Sequence, residues 1–127
     1  MTALHTEWRD AWLLAGARTP FADLGGPLAL VSPIDLGIKA ARAALDRAGI
    51  GGEEIGCVVA GSLAPASFDA YLLARHVGLY AGVRVEVPAL LVQRLCGTGI
   101  EALIQAATAV DRQGAGFALA AGAESMS

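Results

Sequence analysis

Val87-Pro88-Ala89-Leu90-Leu91-Val92-Gln93-Arg94-Leu95-Cys96-Gly97-Thr98-Gly99-Ile100 decides how this chain is to be read. Its first half is an extended apolar run. Beyond it, Ile100, Leu103, Ile104, Ala107 and Val110 recur at helical spacing and predict one buried helix face. Cys96 therefore falls at a strand-to-helix junction, where unpaired N–H groups and the positive end of the helix dipole favour thiolate over thiol. Glycine inside a helix costs about 1 kcal/mol, so Gly97 and Gly99 require a reason, and close approach of backbone or ligand is one. The competing reading is core packing, because cysteine beside an apolar strand also behaves as a small hydrophobe.

Working outward, strands and helices alternate. Residues 12–16 (Trp-Leu-Leu-Ala-Gly) predict a first strand, followed by a loop through Gly25, Gly26 and Pro27. Ser32 caps a helix with Pro33 at its first position and Asp35 in its first turn, and Gly49 ends it. Ile34, Ile38, Ala41 and Leu45 form its inner stripe; Lys39, Arg42 and Asp46 face water. Residues 55–60 predict a second strand. Ser67 opens a shorter helix carrying Tyr71, Leu72 and Ala74, which Gly78 stops. Residues 89–93 predict the third strand, 96–112 the third helix and 116–121 the fourth strand. Near-continuous apolar strands separated by helices mean an α/β fold: a mostly parallel sheet covered on both faces. Without internal repeats or low-complexity linkers, residues 1–127 read as one domain.

Composition narrows the function classes. Of 127 residues, 55% are hydrophobic and only 17% charged, and the mean hydropathy is +0.55. That is apolar-shifted for a small independent domain, and it predicts faces covered by other protein. No charge-free apolar run reaches membrane-spanning length. A net charge of −3 gives no electrostatic footprint for nucleic acid. The first ten residues carry acidic side chains and no apolar signal core, and the two cysteines show neither disulfide framework nor metal spacing; both point to the cytoplasm. A redox role for Cys96 lacks a resolving cysteine at useful spacing. The glycines at 49, 51 and 52 are a helix terminator and turn rather than a phosphate loop, since no Lys-Ser/Thr follows. His76 reads as a surface or dipole-compensating residue and His5 as part of a loose terminus. Cys57, in Ile55-Gly56-Cys57-Val58-Val59, reads as core.

Val92-Gln93-Arg94-Leu95-Cys96-Gly97-Thr98-Gly99-Ile100-Glu101-Ala102 resembles the active-site segment of the thiolases, whose usual form is Asn-Arg-Leu-Cys-Gly-Ser-Gly. Ala17-Arg18-Thr19-Pro20-Phe21 with Gly25-Gly26-Pro27-Leu28 is similar to the family's opening stretch, and Val58-Val59-Ala60-Gly61-Ser62 to its second strand. Ala121-Gly122-Ala123-Glu124-Ser125-Met126-Ser127 is similar to its Gly-Gly-x-Glu-Ser-Met-Ser loop. The resemblance runs from about Trp12 to the last residue. Gln93 replaces the usual Asn and Thr98 the usual Ser, each keeping a donor and acceptor of the same kind. Residues 64–77 depart from the family's Gln-Asn-Pro-Ala-Arg stretch, which leaves the acyl substrate open.

The resemblance implies a catalytic Cys96 that takes an acyl group from an acyl-CoA thioester, in Claisen condensation of acetyl-CoA or thiolysis of a 3-ketoacyl-CoA. It implies a structural Glu124 and a substrate-pocket wall at Met126. It implies no metal and no cofactor beyond coenzyme A as part of the substrate. Family subunits have two similar halves and a loop domain, and their histidine base, second cysteine and water-orienting asparagine come from later segments. None of those motifs occurs here. The expectation is thus an N-terminal domain, incomplete relative to a family subunit, that works as a homo-oligomer with a C-terminal thiolase segment in trans. The alternative is a non-catalytic partner or assembly subunit of the same fold, which has no chemical need for the Cys-Gly-Thr-Gly segment.

Overall fold

The computed structural model describes residues 7–64 and 70–127. Ser67 and His5 lie outside them.

Helix α1 spans Pro33–Ala48. The Ser32 hydroxyl oxygen accepts the Ile34 N–H at 3.0 Å, Pro33 occupies the first turn, and Gly49 leaves the helix in the left-handed conformation at φ 67°. After a 3₁₀ turn, Gly52–Glu54, strand β1 covers Ile55–Gly61. A second 3₁₀ turn, Ala70–Leu72, leads into α2, Leu73–Tyr80. Strand β2 is Ala89–Val92, helix α3 Thr98–Gln113 and strand β3 Phe117–Gly122. All pairings are parallel, in the order β2-β1-β3. The expected α/β architecture is present.

From Cys57 onward alternate residues of β1 divide the core between the sheet's two faces, and the irregularity in the β1–β3 register between Ile55 and Cys57 brings Ile55 to the same side as Val58 and Ala60. Ile55, Val58 and Ala60 pack with Ile34, Ala41 and Leu45 of α1 and with Leu73 and Val77 of α2. Val59, joined by half-buried Cys57, packs with Ala102 and Ala106 of α3 and with Ala118 and Ala120 of β3. Burial on that face pushes the Cys57 thiol pKa up.

Four expectations are corrected. Residues 12–16 form no strand: Trp12 and Leu13 are 80% and 83% exposed. Side-chain bonds fasten the chain ahead of this stretch and at its last residue. The Arg9 N–H donates to Asp111 Oδ1 (3.1 Å), and an Arg47 guanidinium N–H donates to the Gly16 carbonyl (2.7 Å). Gly78 lies inside α2 rather than ending it, because the helix there approaches β1 so closely that a Cβ would sit 2.9 Å from Val58 Cγ2. Helix α3 begins at Thr98, two residues beyond the cysteine. Its inner face is also not the bulky stripe. Thr98, Ala102, Ala106 and Ala109 are buried, while Ile100 and Leu103 are 63% and 47% exposed. Small side chains let the helix lie close on the sheet, and the larger apolar residues are left on the outer side.

Candidate active site

The three strands end level: Gly61 pairs with Val92 on one side and with Gly122 on the other. The loops leaving their carboxyl ends, the position where parallel sheets present ligand sites, surround an open cleft of about 840 Å³. Residues 61–63, 95–96, 98–99 and 122–127 contribute to it, and residues 17–24 form a further part of its wall. Cys96 and Met126, singled out separately in the sequence, line the same cleft. His76 does not; its ring packs edge-on against Tyr80, 6.2 Å between centroids.

The cysteine sits on a tightly cross-bonded turn. The Gly97 N–H donates to the Arg94 carbonyl and the Thr98 N–H to the Leu95 carbonyl, both at 3.0 Å. Between them Leu95 takes φ 50°. A left-handed leucine costs about 1–2 kcal/mol and persists only where its surroundings fix it. The Thr98 side chain does this: its Oγ1 accepts the Arg94 N–H at 2.8 Å and donates to the Leu95 carbonyl at 2.6 Å. Gly97 is the helix N-cap, so the exposed Cys96 thiol lies just ahead of the positive end of α3.

Glu124 braces the neighbouring loop. One carboxylate oxygen accepts the N–H groups of Leu63 (2.5 Å) and Ala64 (3.2 Å), and both oxygens accept from the Ser62 hydroxyl at 3.2 and 3.3 Å. This is the structural role expected of it. Gln93 Nε2 donates to the Leu63 carbonyl at 3.0 Å, binding the loop after β2 to the loop after β1. Across the cleft, the Gly25 N–H donates to Ser127 Oγ at 3.0 Å. The Arg18 guanidinium lies 4.7 Å from the centre of the Phe21 ring, a cation–π contact within the wall.

Sequence reasoning missed Leu95, Gly61 and the bracing by Thr98. The available signal was Thr98 itself, a hydroxyl two residues after the cysteine, able to turn back on the peptide groups before it. Among the described residues no group of three or more His, Cys, Asp or Glu side chains could hold a metal. No helix among them is long and apolar enough to cross a membrane.

The geometry defines a parallel α/β protein with an exposed cysteine on a braced turn at the carboxyl edge of its sheet. The family model for the thiolase N-terminal domain matches residues 12–127, and the chain belongs to the thiolase family. It is 39% identical over 119 residues to the mitochondrial 3-ketoacyl-CoA thiolase of Bos taurus, covering 94% of this chain and 30% of that protein. It is 34% identical over 118 residues to an acetyl-CoA acetyltransferase of Cupriavidus necator, covering 93% and 30%. Among solved structures, human mitochondrial 3-ketoacyl-CoA thiolase in complex with CoA matches with a TM-score of 0.78 at 38% identity, over 80% of this chain and 26% of that one. The Bacillus anthracis acetyl-CoA acetyltransferase also gives 0.78, at 28% identity, over 86% and 27%. The chain spans about 30% of the length of the curated relatives it matches.

Proposed function

We propose that this chain supplies the nucleophile of a thiolase-type acyl-CoA acyltransferase. The Cys96 thiolate attacks the carbonyl carbon of an acyl-CoA thioester, the new S–C bond forms as the bond to coenzyme A sulfur breaks, and the coenzyme A thiolate leaves and takes up a proton. In condensation, the α-carbon of a second acetyl-CoA, stripped of a proton, attacks the acyl carbon and the Cys96 thiolate departs. Thiolysis is the reverse. The Cys96 main-chain N–H is one oxyanion donor, and Met126 forms part of the acyl pocket. The observation that carries this reading is the exposed thiol on its braced turn, facing the same cleft as the Glu124-Ser125-Met126 loop.

Besides Cys96, the ionisable side chains among the described cleft residues are Arg18, Asp23 and Glu124, and Glu124 is engaged in bracing. The base and acid of the second half-reaction accordingly come from a C-terminal thiolase segment outside residues 1–127, and a second copy of the chain sits against β2, an edge strand of the described sheet. The test is incubation with acetyl-CoA followed by peptide mapping. Acetylation is expected on Cys96 and not on Cys57, with acetoacetyl-CoA thiolysis very slow until a C-terminal thiolase fragment is added, since each acid–base group contributes about 10²- to 10⁴-fold. A Cys96 that acetyl-CoA leaves unmodified refutes the nucleophile; ordinary turnover by the chain alone refutes the division of the site.

A further inference from the structure

We infer that Thr98 is the positioning residue that fixes where the Cys96 thiol points, a reading that rests on Cys96 being the acyl-accepting nucleophile. Its hydroxyl spans the two residues ahead of the cysteine. It accepts the Arg94 N–H at 2.8 Å and donates to the Leu95 carbonyl at 2.6 Å, so both peptide groups flanking the start of the left-handed turn end on one side chain. The γ-methyl of the same residue fills the space over Gly61, where a Cβ would overlap it. Thr98 is only 7% exposed. One side chain thus fastens the cysteine turn to the end of the central strand, with the hydroxyl holding the turn's shape and the methyl its height above the sheet.

The two parts are separable. Thr98→Val keeps shape and methyl but leaves the Arg94 N–H and Leu95 carbonyl without their side-chain partner, freeing Leu95 to leave the left-handed region. Thr98→Ser keeps the hydroxyl. Two reactions of Cys96 tell positioning from general damage. Acylation by acetyl-CoA needs the thiol aligned with the thioester carbonyl and an oxyanion donor; alkylation by iodoacetamide needs only an accessible thiol. With the purified chain, T98V is expected to lose about tenfold to a hundredfold in acylation rate with little change in alkylation, and T98S is expected to retain most of the acylation.

Equal acylation of T98V and wild type overturns the inference alone, as does a parallel fall of both reactions with a lowered unfolding midpoint, which marks a merely structural role. If wild type is alkylated but never acylated, the nucleophile reading falls and this inference with it. If T98V does not fold, Gly61→Ala displaces the γ-methyl with the hydroxyl intact. Acylation lost in G61A and regained in G61A/T98S, which lacks that methyl, supports the inference; no recovery overturns it.

Discussion

The α-carbon of Gly61 and the γ-methyl of Thr98 face each other without room for a side chain between them. The last residue of the central strand is thereby matched to the first residue of the helix that follows the cysteine. Overpacking a close contact costs about 1–3 kcal/mol, so Gly61→Ala is expected to lower the unfolding free energy by that amount. Because Thr98→Ser removes the obstructing methyl, the double variant is expected to be more stable than the sum of the single changes by about 1 kcal/mol. Urea denaturation of the four proteins measures the coupling.

Two helical glycines are expected to respond in opposite directions to alanine. Gly99 has open space where its Cβ would stand, so Gly99→Ala gains the helix preference of about 0.5–1 kcal/mol. Gly78→Ala gains the same preference but drives a methyl to 2.9 Å from Val58 Cγ2, and the overpacking leaves a net loss of about 1–2 kcal/mol. Chemical denaturation reads both signs.

Glu124→Ala withdraws the acceptor from the N–H groups of Leu63 and Ala64. Leaving such groups unpaired costs about 1–3 kcal/mol, and Glu124→Gln, which keeps an acceptor oxygen without its charge, is expected to lose less. Amide hydrogen exchange at Leu63 and Ala64 is expected to accelerate in the same order.

Alkali is expected to weaken the fold through Cys57. Burial raises its pKa above the ordinary 9.0, so below that value the thiol is neutral in folded and unfolded chains alike and stability is unaffected. As pH rises past about 9 the unfolded chain ionises first, and stability falls until the folded thiol titrates as well. Cys57→Ala is expected to flatten this decline above pH 9.0, as measured by denaturation at increasing pH.

Local signals announced much of this fold. Ser32, Pro33 and Gly49 bounded α1 because a capping hydroxyl, a fixed φ and a left-handed glycine act within a few residues. The three described strands were legible as apolar runs. The inner face of α3 was not, because hydrophobicity alone favours Ile100 and Leu103 over Ala102 and Ala106, whereas the separation between helix and sheet, a non-local quantity, selects the small residues. Gly78 misled for the same reason: its lack of a side chain serves Val58, twenty positions away in sequence, rather than a helix end. At the site, the thiol at residue 96 and the loop through Met126 were visible as motifs and line one cleft. The conformation of Leu95 and the hold of Thr98 on Gly61 were not, since each depends on chain segments brought together by folding.

The loop after the central strand is fastened by Glu124, a residue that leaves the ribosome 60 positions after Ala64. β1 likewise obtains its partners only from later sequence, β2 and then β3. During synthesis the cysteine therefore emerges before the residues that close the cleft around it. A nascent chain arrested before residue 124 carries the thiol but lacks the carboxylate that holds Leu63 and Ala64, so the cleft takes its final shape only once this last loop has emerged.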